Sequence, residues 1–229
     1  MISRLIVLFL LLAVACLAVP TDDSVPSNSQ IEKWWKLENR ERPDEELEIN
    51  DVQPVRMKSG EKAFVASVHF PTRGHCCGYG ILLVRPSLQE ARQTHELMSV
   101  SKVIDLDYDR IDEVVMGGGF TGQGQHAESK AIVYFDGWDP VVLYERGFGD
   151  NLGACGRSDY ERSCYSEEVT WVFTDLDGDH IRDLVELIVY REGKEPEQLS
   201  WTTKVNGYLF KDKKFVPASP TLTEPDRSE

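Results

Sequence analysis

Short runs rich in apolar, β-branched and aromatic residues recur along most of the chain and predict β-strands. Within residues 64–70, Phe64, Ala66 and Val68 also follow the period of two by which successive side chains of a strand point to opposite faces. The other runs are residues 80–84, 130–136, 140–145, 199–205 and 208–216. Turns between successive runs are predicted at Asp136-Gly137, Asn206-Gly207 and Gly117-Gly118-Gly119, because such residues adopt the positive φ angles of tight turns. The pattern therefore predicts a mainly β, antiparallel domain.

Two segments depart from this pattern and show helical spacing instead. Residues 29–39 place Ile31, Trp34 and Trp35 on one helical face, after a Ser29/Glu32 pair typical of a capping box. The two tryptophans are either a partner-binding patch or the face by which the helix docks on the β domain, and we favour docking. A second short helix is predicted within residues 87–98.

Two acidic loops between strand-like runs carry the most specific chemistry of the sequence. In each, carboxylates stand at positions 1, 3, 5 and 9 of the loop. Four like charges on one tight turn repel each other unless a cation joins them, and Ca²⁺ takes about six to eight oxygen ligands. A pair of solvated acidic turns is the alternative. The two sets are Asp105, Asp107, Asp109 and Glu113, and Asp175, Asp177, Asp179 and Asp183.

An EF-hand, in which helices flank the calcium loop, is the rival explanation of these acids. That loop needs Gly at position 6 and Glu at position 12. Position 6 is Arg110 in the first loop and His180 in the second, while position 12 is Met116 and Glu186. The flanks are also rich in β-branched and aromatic residues, which favour strands. The pattern shared by both loops therefore favours loops between β-strands.

Both loops resemble the calcium loops of FG-GAP/VCBS-type repeats, written roughly D-x-D-x-D-G-x-x-D/E and followed by hydrophobic residues. The resemblance covers the loops and their flanking strands. It implies units like the blades of β-propellers, with the acids named above as calcium ligands beside the position-7 carbonyls of Ile111 and Ile181. Position 6 departs from the usual Gly or Asn. If that residue must take a positive φ, His180 fits better than Arg110.

The length of the chain limits the architecture. A closed propeller has at least about four blades of four strands, and 229 residues are too few to close one. We expect a compact antiparallel β domain with propeller-blade-like repeats and a short N-terminal helix, or a stack of two blades. The expected divisions are a signal peptide (1–18), a linker with the helix and an acidic segment (19–54), the β domain (55–217) and a polar tail (218–229).

Residues 1–18 are typical of a secretory signal peptide. Arg4 precedes an apolar run at residues 5–12, and the small residue Ala18 permits cleavage. The apolar stretch is shorter than the roughly 20 residues of a transmembrane helix, so no transmembrane span is expected. Residues 13–16 also loosely match a lipobox, so a lipid anchor on Cys16 is an alternative. Either way the protein is expected to be secreted, periplasmic or on the cell surface.

The cysteines fit an exported protein. Four remain after cleavage behind Ala18, and an even number in an oxidising compartment predicts disulfides. Our first choice is Cys155–Cys164, which closes a short polar loop. Cys76 and Cys77 then form a vicinal bridge or stay as thiols, although bridges from this pair to Cys155 and Cys164 fit the sequence as well.

Charge and motifs narrow the function classes. A formal net charge of −14 disfavours nucleic acids and anionic membranes, while 41% hydrophobic residues favour a folded domain over disorder. The chain contains no G-x-S-x-G, H-E-x-x-H or phosphate-loop motif. We therefore expect an exported, calcium-stabilised, non-enzymatic module that binds a protein or a glycan. The alternatives are a secreted hydrolase that uses carboxylates and a structural surface or periplasmic lipoprotein.

Overall fold

A computed structural model describes residues 24–42, 44–73, 78–96, 98–156, 163–218 and 222–223. Within them lie one α-helix and thirteen β-strands, and all strand pairs are antiparallel. The predicted compact, mainly β fold with a short helix is confirmed. Cys16, Cys76, Cys77 and most of the predicted tail lie outside the described residues. Within the described ranges, no helix combines the length and apolar character that a membrane crossing requires.

The strands form three four-stranded units, one more than the two acidic loops indicate. In each unit, consecutive strands of the chain are neighbours in the sheet. A 3₁₀ turn, Pro71–Arg73, follows the second strand of unit 1. Unit 1 comprises β1 (Glu48–Arg56), β2 (Lys62–His69), β3 (Tyr79–Arg85) and β4 (Glu90–Glu96). Unit 2 comprises β5 (Ser99–Ile104), β6 (Glu113–Gly122), β7 (Gln125–Asp136) and β8 (Asp139–Asp150). Unit 3 comprises β9 (Cys164–Thr174), β10 (Asp183–Gly193), β11 (Leu199–Lys211) and β12 (Lys214–Pro217).

Units 2 and 3 belong to one hydrogen-bonded sheet, yet a single residue pair joins them. Asp150 of β8 pairs with Ser166 of β9, whereas β7 and β8 pair along their whole length. The short strand β13 (Leu222–Thr223) pairs with β11. Each acidic loop connects the first two strands of its unit, β5 to β6 and β9 to β10. The loops therefore occupy equivalent places in units 2 and 3.

Three apolar clusters hold the helix and the units together as successive layers. The first lies between the helix and unit 1 and includes Trp35, Phe64 and Phe70. The second lies between units 1 and 2, where Val65 and Leu83 meet residues of β5, β6 and β7. The third lies between units 2 and 3 and includes Leu106, Ile132, Leu184 and Phe210. Both faces of β2 are buried for this reason, which explains its almost unbroken apolar sequence.

The outward face of unit 3, turned away from unit 2, has exposed apolar side chains. Leu187 of β10 faces its register partner Val205 of β11 there, and Val172 and Trp201 lie on the same face. The corresponding face of unit 2 is buried against unit 3. Equivalent residues of the two units consequently have different environments.

The helix α1 (Asn28–Glu38) docks on unit 1 as favoured, because Ile31, Trp34 and Trp35 are all buried there. Its cap lies two residues before the predicted one. The Ser27 side chain accepts a hydrogen bond from the Gln30 amide, and the Gln30 side chain accepts one from the Ser27 amide. Glu32 pairs instead with Lys36, at 2.7 Å. The predicted capping box at Ser29 is therefore wrong.

The predicted helix within residues 87–98 is also wrong, because that segment contains β4. A turn with Gln89 at φ 55° brings β4 back along β3. Ala91 is buried under the helix, whereas Leu88 is exposed. The apparent helical spacing of apolar residues fails here because a neighbouring strand supplies hydrogen-bond partners that the sequence window does not reveal.

Two predicted turns lie inside strands. Gly117–Gly119 belong to β6, and Asn206-Gly207 belong to β11. A Cβ atom on Gly119 would lie 2.2 Å from the Ala127 carbonyl oxygen, so this glycine permits close approach of two strands. The hairpin between β11 and β12 instead turns at Asp212 and Lys213, whose φ angles are 52° and 57°. The predicted turn at Asp136-Gly137 is confirmed, since β7 ends and β8 begins around it.

The corner between units 2 and 3 is fixed by the predicted disulfide and by an asparagine. Cys155 and Cys164 are bonded, and Cys164 is the first residue of β9. The buried Asn151 accepts a hydrogen bond from the Tyr165 amide at 2.8 Å and donates one to the Ser163 carbonyl at 2.9 Å. These contacts hold the start of unit 3 against the end of unit 2.

Removing this disulfide is expected to destabilise the fold. The bonded residues are separated by 9 in sequence, and closing so short a loop stabilises by roughly 2–3 kcal/mol in the chain-entropy model. The Cys155→Ala/Cys164→Ala variant should therefore unfold at lower denaturant concentration than wild type, with a slope that is the same or steeper, because the unfolded chain without the cross-link is less compact. Unfolding followed by circular dichroism tests this. An unchanged midpoint would show that the hydrogen bonds of Asn151 suffice to hold the corner.

Candidate metal centres

The two acidic loops share the same internal hydrogen bonds. The position-2 amide donates to the position-9 carboxylate, from Leu106 to Glu113 at 2.9 Å and from Leu176 to Asp183 at 2.8 Å. The position-6 amide donates to the first aspartate, Asp105 at 3.1 Å or Asp175 at 2.9 Å. The position-7 amide donates to the position-5 aspartate, 2.8 Å away in both loops. The matching sequence pattern therefore produces matching loops.

The backbone of both loops takes the left-handed conformation at position 6. Arg110 has a φ of 72° and His180 a φ of 71°. Position 4 is left-handed too, with Gly178 at 84° in the second loop and Tyr108 at 58° in the first. A non-glycine residue in this region costs of the order of 1 kcal/mol. The first loop contains two such residues and is therefore the more strained.

In the second loop, three of the four predicted ligands come together. Asp175, Asp177 and Asp183 each offer an oxygen, and these oxygens lie within 4.8 Å of one another. Asp183 is buried, and its second oxygen accepts a hydrogen bond from the Phe210 amide at 2.8 Å. Asp179 is outside this group and accepts from the loop backbone. The donor set is purely carboxylate, which fits a hard cation such as Ca²⁺.

One lysine contacts the second loop from its exposed side. The Lys211 ammonium lies 3.1 Å from an Asp177 oxygen. The hydrogen bond from Lys211 lowers the pKa of Asp177 and keeps this carboxylate ionised. Both side chains are accessible to solvent, and ion pairs of this kind contribute little to stability. Among the described ion pairs, Asp183 has no cationic partner. Asp175 meets the His180 ring, at 3.8 Å.

The first loop differs because a lysine ammonium lies among its carboxylates. Lys213 Nζ is 3.0 Å from Asp107, 3.0 Å from Asp109 and 2.8 Å from Glu113. Oxygens of Asp105, Asp107 and Asp109 also lie within 4.8 Å of one another. Glu113, the fourth predicted ligand, is fully buried between the lysine and the Leu106 amide. The ammonium thus contacts three of the four acids that the sequence assigns to Ca²⁺.

The protonation of this cluster follows from burial and from the lysine. Burial lowers the pKa of Lys213, but hydrogen bonds to Glu113 and Asp107 outweigh it and the pKa rises. Burial raises the pKa of Glu113 to about 7, against the opposite effect of the lysine. Lys213 therefore stays protonated beside these carboxylates, while burial favours the neutral form of Glu113.

Unit 1 supplies a second cation to the first loop. Arg56 of β1 lies 3.1 Å from Asp105 and 2.7 Å from Asp112. The other oxygen of Asp105, Oδ1, is buried without a hydrogen-bond partner. The Arg182 amide of the second loop donates to the Leu106 carbonyl at 2.9 Å, which ties the two acidic loops together. The first loop is therefore held by units 1 and 3 and is less exposed than the second.

Sequence reasoning located the acids but missed their protein partners. Lys211, Lys213 and Arg56 lie far from the loops in sequence, and the Lys211-Asp212-Lys213-Lys214 run gives no sign of which carboxylates it meets. The pairing of β11 with β10, continued into the β11–β12 turn, brings the two lysines to the loops. The packing of β1 brings Arg56 to the first loop, and a reading of the sequence shows neither arrangement.

No known protein family, characterised protein or solved structure matches the chain. The resemblance to FG-GAP/VCBS-type repeats therefore rests on the two acidic loops and the strands around them.

Proposed function

We propose that this protein is an exported, calcium-stabilised β module with a non-enzymatic binding role, whose partner is a protein or a glycan. The observation that carries the calcium assignment is the convergence of Asp175, Asp177 and Asp183 at the second loop. Three carboxylates this close repel each other in the absence of a cation, and Ca²⁺ accepts several such oxygens with flexible geometry.

Binding of Ca²⁺ at the second loop would stabilise the packing of unit 3. Asp183 is the first residue of β10 and accepts a hydrogen bond from Phe210 of β11. Phe210 in turn belongs to the cluster between units 2 and 3. A cation that holds Asp183 in place would therefore also hold β10 and β11, the strands that pack on unit 2 through this cluster. Calcium then acts on the scaffold rather than on a reacting substrate.

Two further observations support this role. The loop carboxylates accept hydrogen bonds from loop amides, which holds them as fixed acceptors and favours structural work over proton transfer to a substrate. The Cys155–Cys164 disulfide is typical of oxidising compartments and supports export, together with the signal-like residues 1–18. Lipidation of Cys16 would place the same module on a membrane surface.

Calcium is expected to raise the melting temperature. Free Ca²⁺ at about 100 times the dissociation constant stabilises a fold by about 2.7 kcal/mol per site. Mg²⁺ should have a much smaller effect, because it needs a tight octahedral shell and keeps its waters. The measurement is thermal unfolding in chelator, in millimolar Mg²⁺ and in millimolar Ca²⁺.

Two variants locate the effect. Asp177→Asn should abolish most of the calcium-dependent rise in melting temperature, because it removes a converging carboxylate. Asp139→Asn, a change of an exposed aspartate outside both loops, should leave the rise intact. Equal melting temperatures of the wild type in chelator and in Ca²⁺, with no heat of binding in calorimetry, would refute the calcium assignment.

A further inference from the structure

The ammonium of Lys213 occupies the place at the first loop where a bound cation would meet the same carboxylates. Its three oxygen contacts, to Asp107, Asp109 and Glu113, are all at hydrogen-bond distance, between 2.8 and 3.0 Å. Only about a fifth of the Lys213 side chain is exposed, and Glu113 is not exposed at all. A charge buried to this degree is stable only if it is paired, and here it is paired three times.

The β11–β12 hairpin holds the lysine in this position. Lys213 is the second turn residue, and both turn residues have the positive φ angles of a tight two-residue turn. The rings of Phe210 and Phe215 pack on each other behind the turn with centroids 4.8 Å apart, and the Lys213 ammonium lies 5.6 Å from the Phe210 ring centre. The lysine therefore comes from a packed element of unit 3 and bridges to unit 2.

We infer that Lys213 replaces Ca²⁺ at the first loop, so that the protein binds one calcium ion, at the second loop, and not two. The first loop keeps the backbone of a calcium loop but is closed by an internal cation. This inference rests on the proposed function, because it presupposes that the second loop binds Ca²⁺. It differs from what the resemblance to calcium loops implies, which is calcium ligands at both loops.

Competition between the lysine and Ca²⁺ favours the lysine at the first loop. The ammonium is part of the chain, so its local concentration does not fall when the protein is diluted. A calcium ion could enter only by expelling Lys213 from Glu113 and leaving a lysine with a buried stem unpaired. Lys211 presents no such barrier at the second loop, because it contacts one carboxylate and both partners are solvent-accessible.

An unsatisfied oxygen indicates that the first loop would still accept a metal ion once the lysine is removed. Asp105 Oδ1 is buried and has no hydrogen-bond partner, although it stands at position 1 of the loop. The three contacts of the Lys213 ammonium go to Asp107, Asp109 and Glu113, so Asp105 Oδ1 receives none of them. A calcium ion among Asp105, Asp107 and Asp109, whose oxygens already lie within 4.8 Å of one another, would coordinate it.

The test counts bound calcium ions by native mass spectrometry and titration calorimetry. The wild type is expected to bind one ion and Lys213→Met two, because methionine keeps the apolar stem over Phe210 and removes the charge. Lys211→Met is the matched control and should still bind one ion. Asp109→Asn in the wild type should leave the number at one, which tests the closed loop without removing the lysine.

The outcomes separate this inference from the proposed function. Two ions on the wild type would overturn the inference and leave the calcium assignment standing. One ion on both the wild type and a folded Lys213→Met would overturn it as well. No ion on the wild type and one on Lys213→Met would support closure by the lysine and overturn the assignment of Ca²⁺ to the second loop. A loss of binding in Asp109→Asn would place the single ion at the first loop and refute the inference.

Discussion

Replacing Trp35 by alanine is expected to lower the free energy of unfolding by about 3–5 kcal/mol, as large-to-small changes of buried aromatic residues do. Trp35 is fully buried between the helix and unit 1, and its ring lies 5.5 Å from that of Phe70. It anchors the helix to strands that themselves pack on unit 2. The loss should therefore lower the stability of the whole fold, measured by denaturant unfolding with fluorescence and circular dichroism in parallel.

Trp35→Phe is the control that separates packing from hydrogen bonding. The indole nitrogen of Trp35 is buried without a partner, so phenylalanine removes an unsatisfied donor while it keeps most of the apolar area. We expect this change to cost much less than alanine, within about 1.5 kcal/mol of the wild type. A cost below about 1 kcal/mol for Trp35→Ala would mean that the helix is not part of the cooperatively folding core.

Local patterns predicted the elements whose partners lie close in sequence. The hairpin around Asp136-Gly137 and the helical face of Ile31, Trp34 and Trp35 depend on turn chemistry and amphipathic spacing, and both are visible in a short window. The strand Glu90–Glu96 was missed because its polar residues lack strict alternation. Its pairing with β3 determined its conformation, and a local window does not show that pairing.

Glycines were the second source of error, for a related reason. The local sequence around Gly119 and Gly207 predicts turns, yet both glycines lie within strands. An added side chain would meet the Ala127 carbonyl at Gly119 and the Leu176 side chain at Gly207. Only the tertiary structure distinguishes a glycine needed for close approach from one needed for a positive φ.

The candidate metal sites show the same contrast between what local sequence determines and what tertiary packing determines. Position-by-position spacing predicted two alike loops between strands, because the aspartates and the backbone amides that they bind lie within one loop. The structure adds the positive φ of Arg110 and His180. The lysine at the first loop was beyond reach of the sequence, since Lys213 and Asp107 are 106 residues apart. Local chemistry therefore specifies the shape of a loop, and packing of the units determines which cation the loop meets.

The repeated loop also offers a comparison of one residue type in two environments. Leu106 and Leu176 both follow the first aspartate of their loops, and the amide of each donates to the position-9 carboxylate. Leu106 is fully buried in the cluster between units 2 and 3, whereas 42% of Leu176 is exposed at the outward face of unit 3. The difference arises because unit 3 covers unit 2, and no further unit of this kind covers unit 3 within the described residues.

Leu106→Ala is therefore expected to lower the free energy of unfolding by about 2–5 kcal/mol, and Leu176→Ala by less than about 1 kcal/mol. Both changes leave the backbone amide and the carboxylates in place, so they probe packing alone. Urea unfolding of the two variants in chelator excludes any contribution from bound metal, and a repeat in Ca²⁺ shows whether either leucine affects binding. Equal costs for the two variants would contradict the packing of unit 3 on unit 2, because that packing is what distinguishes the two positions.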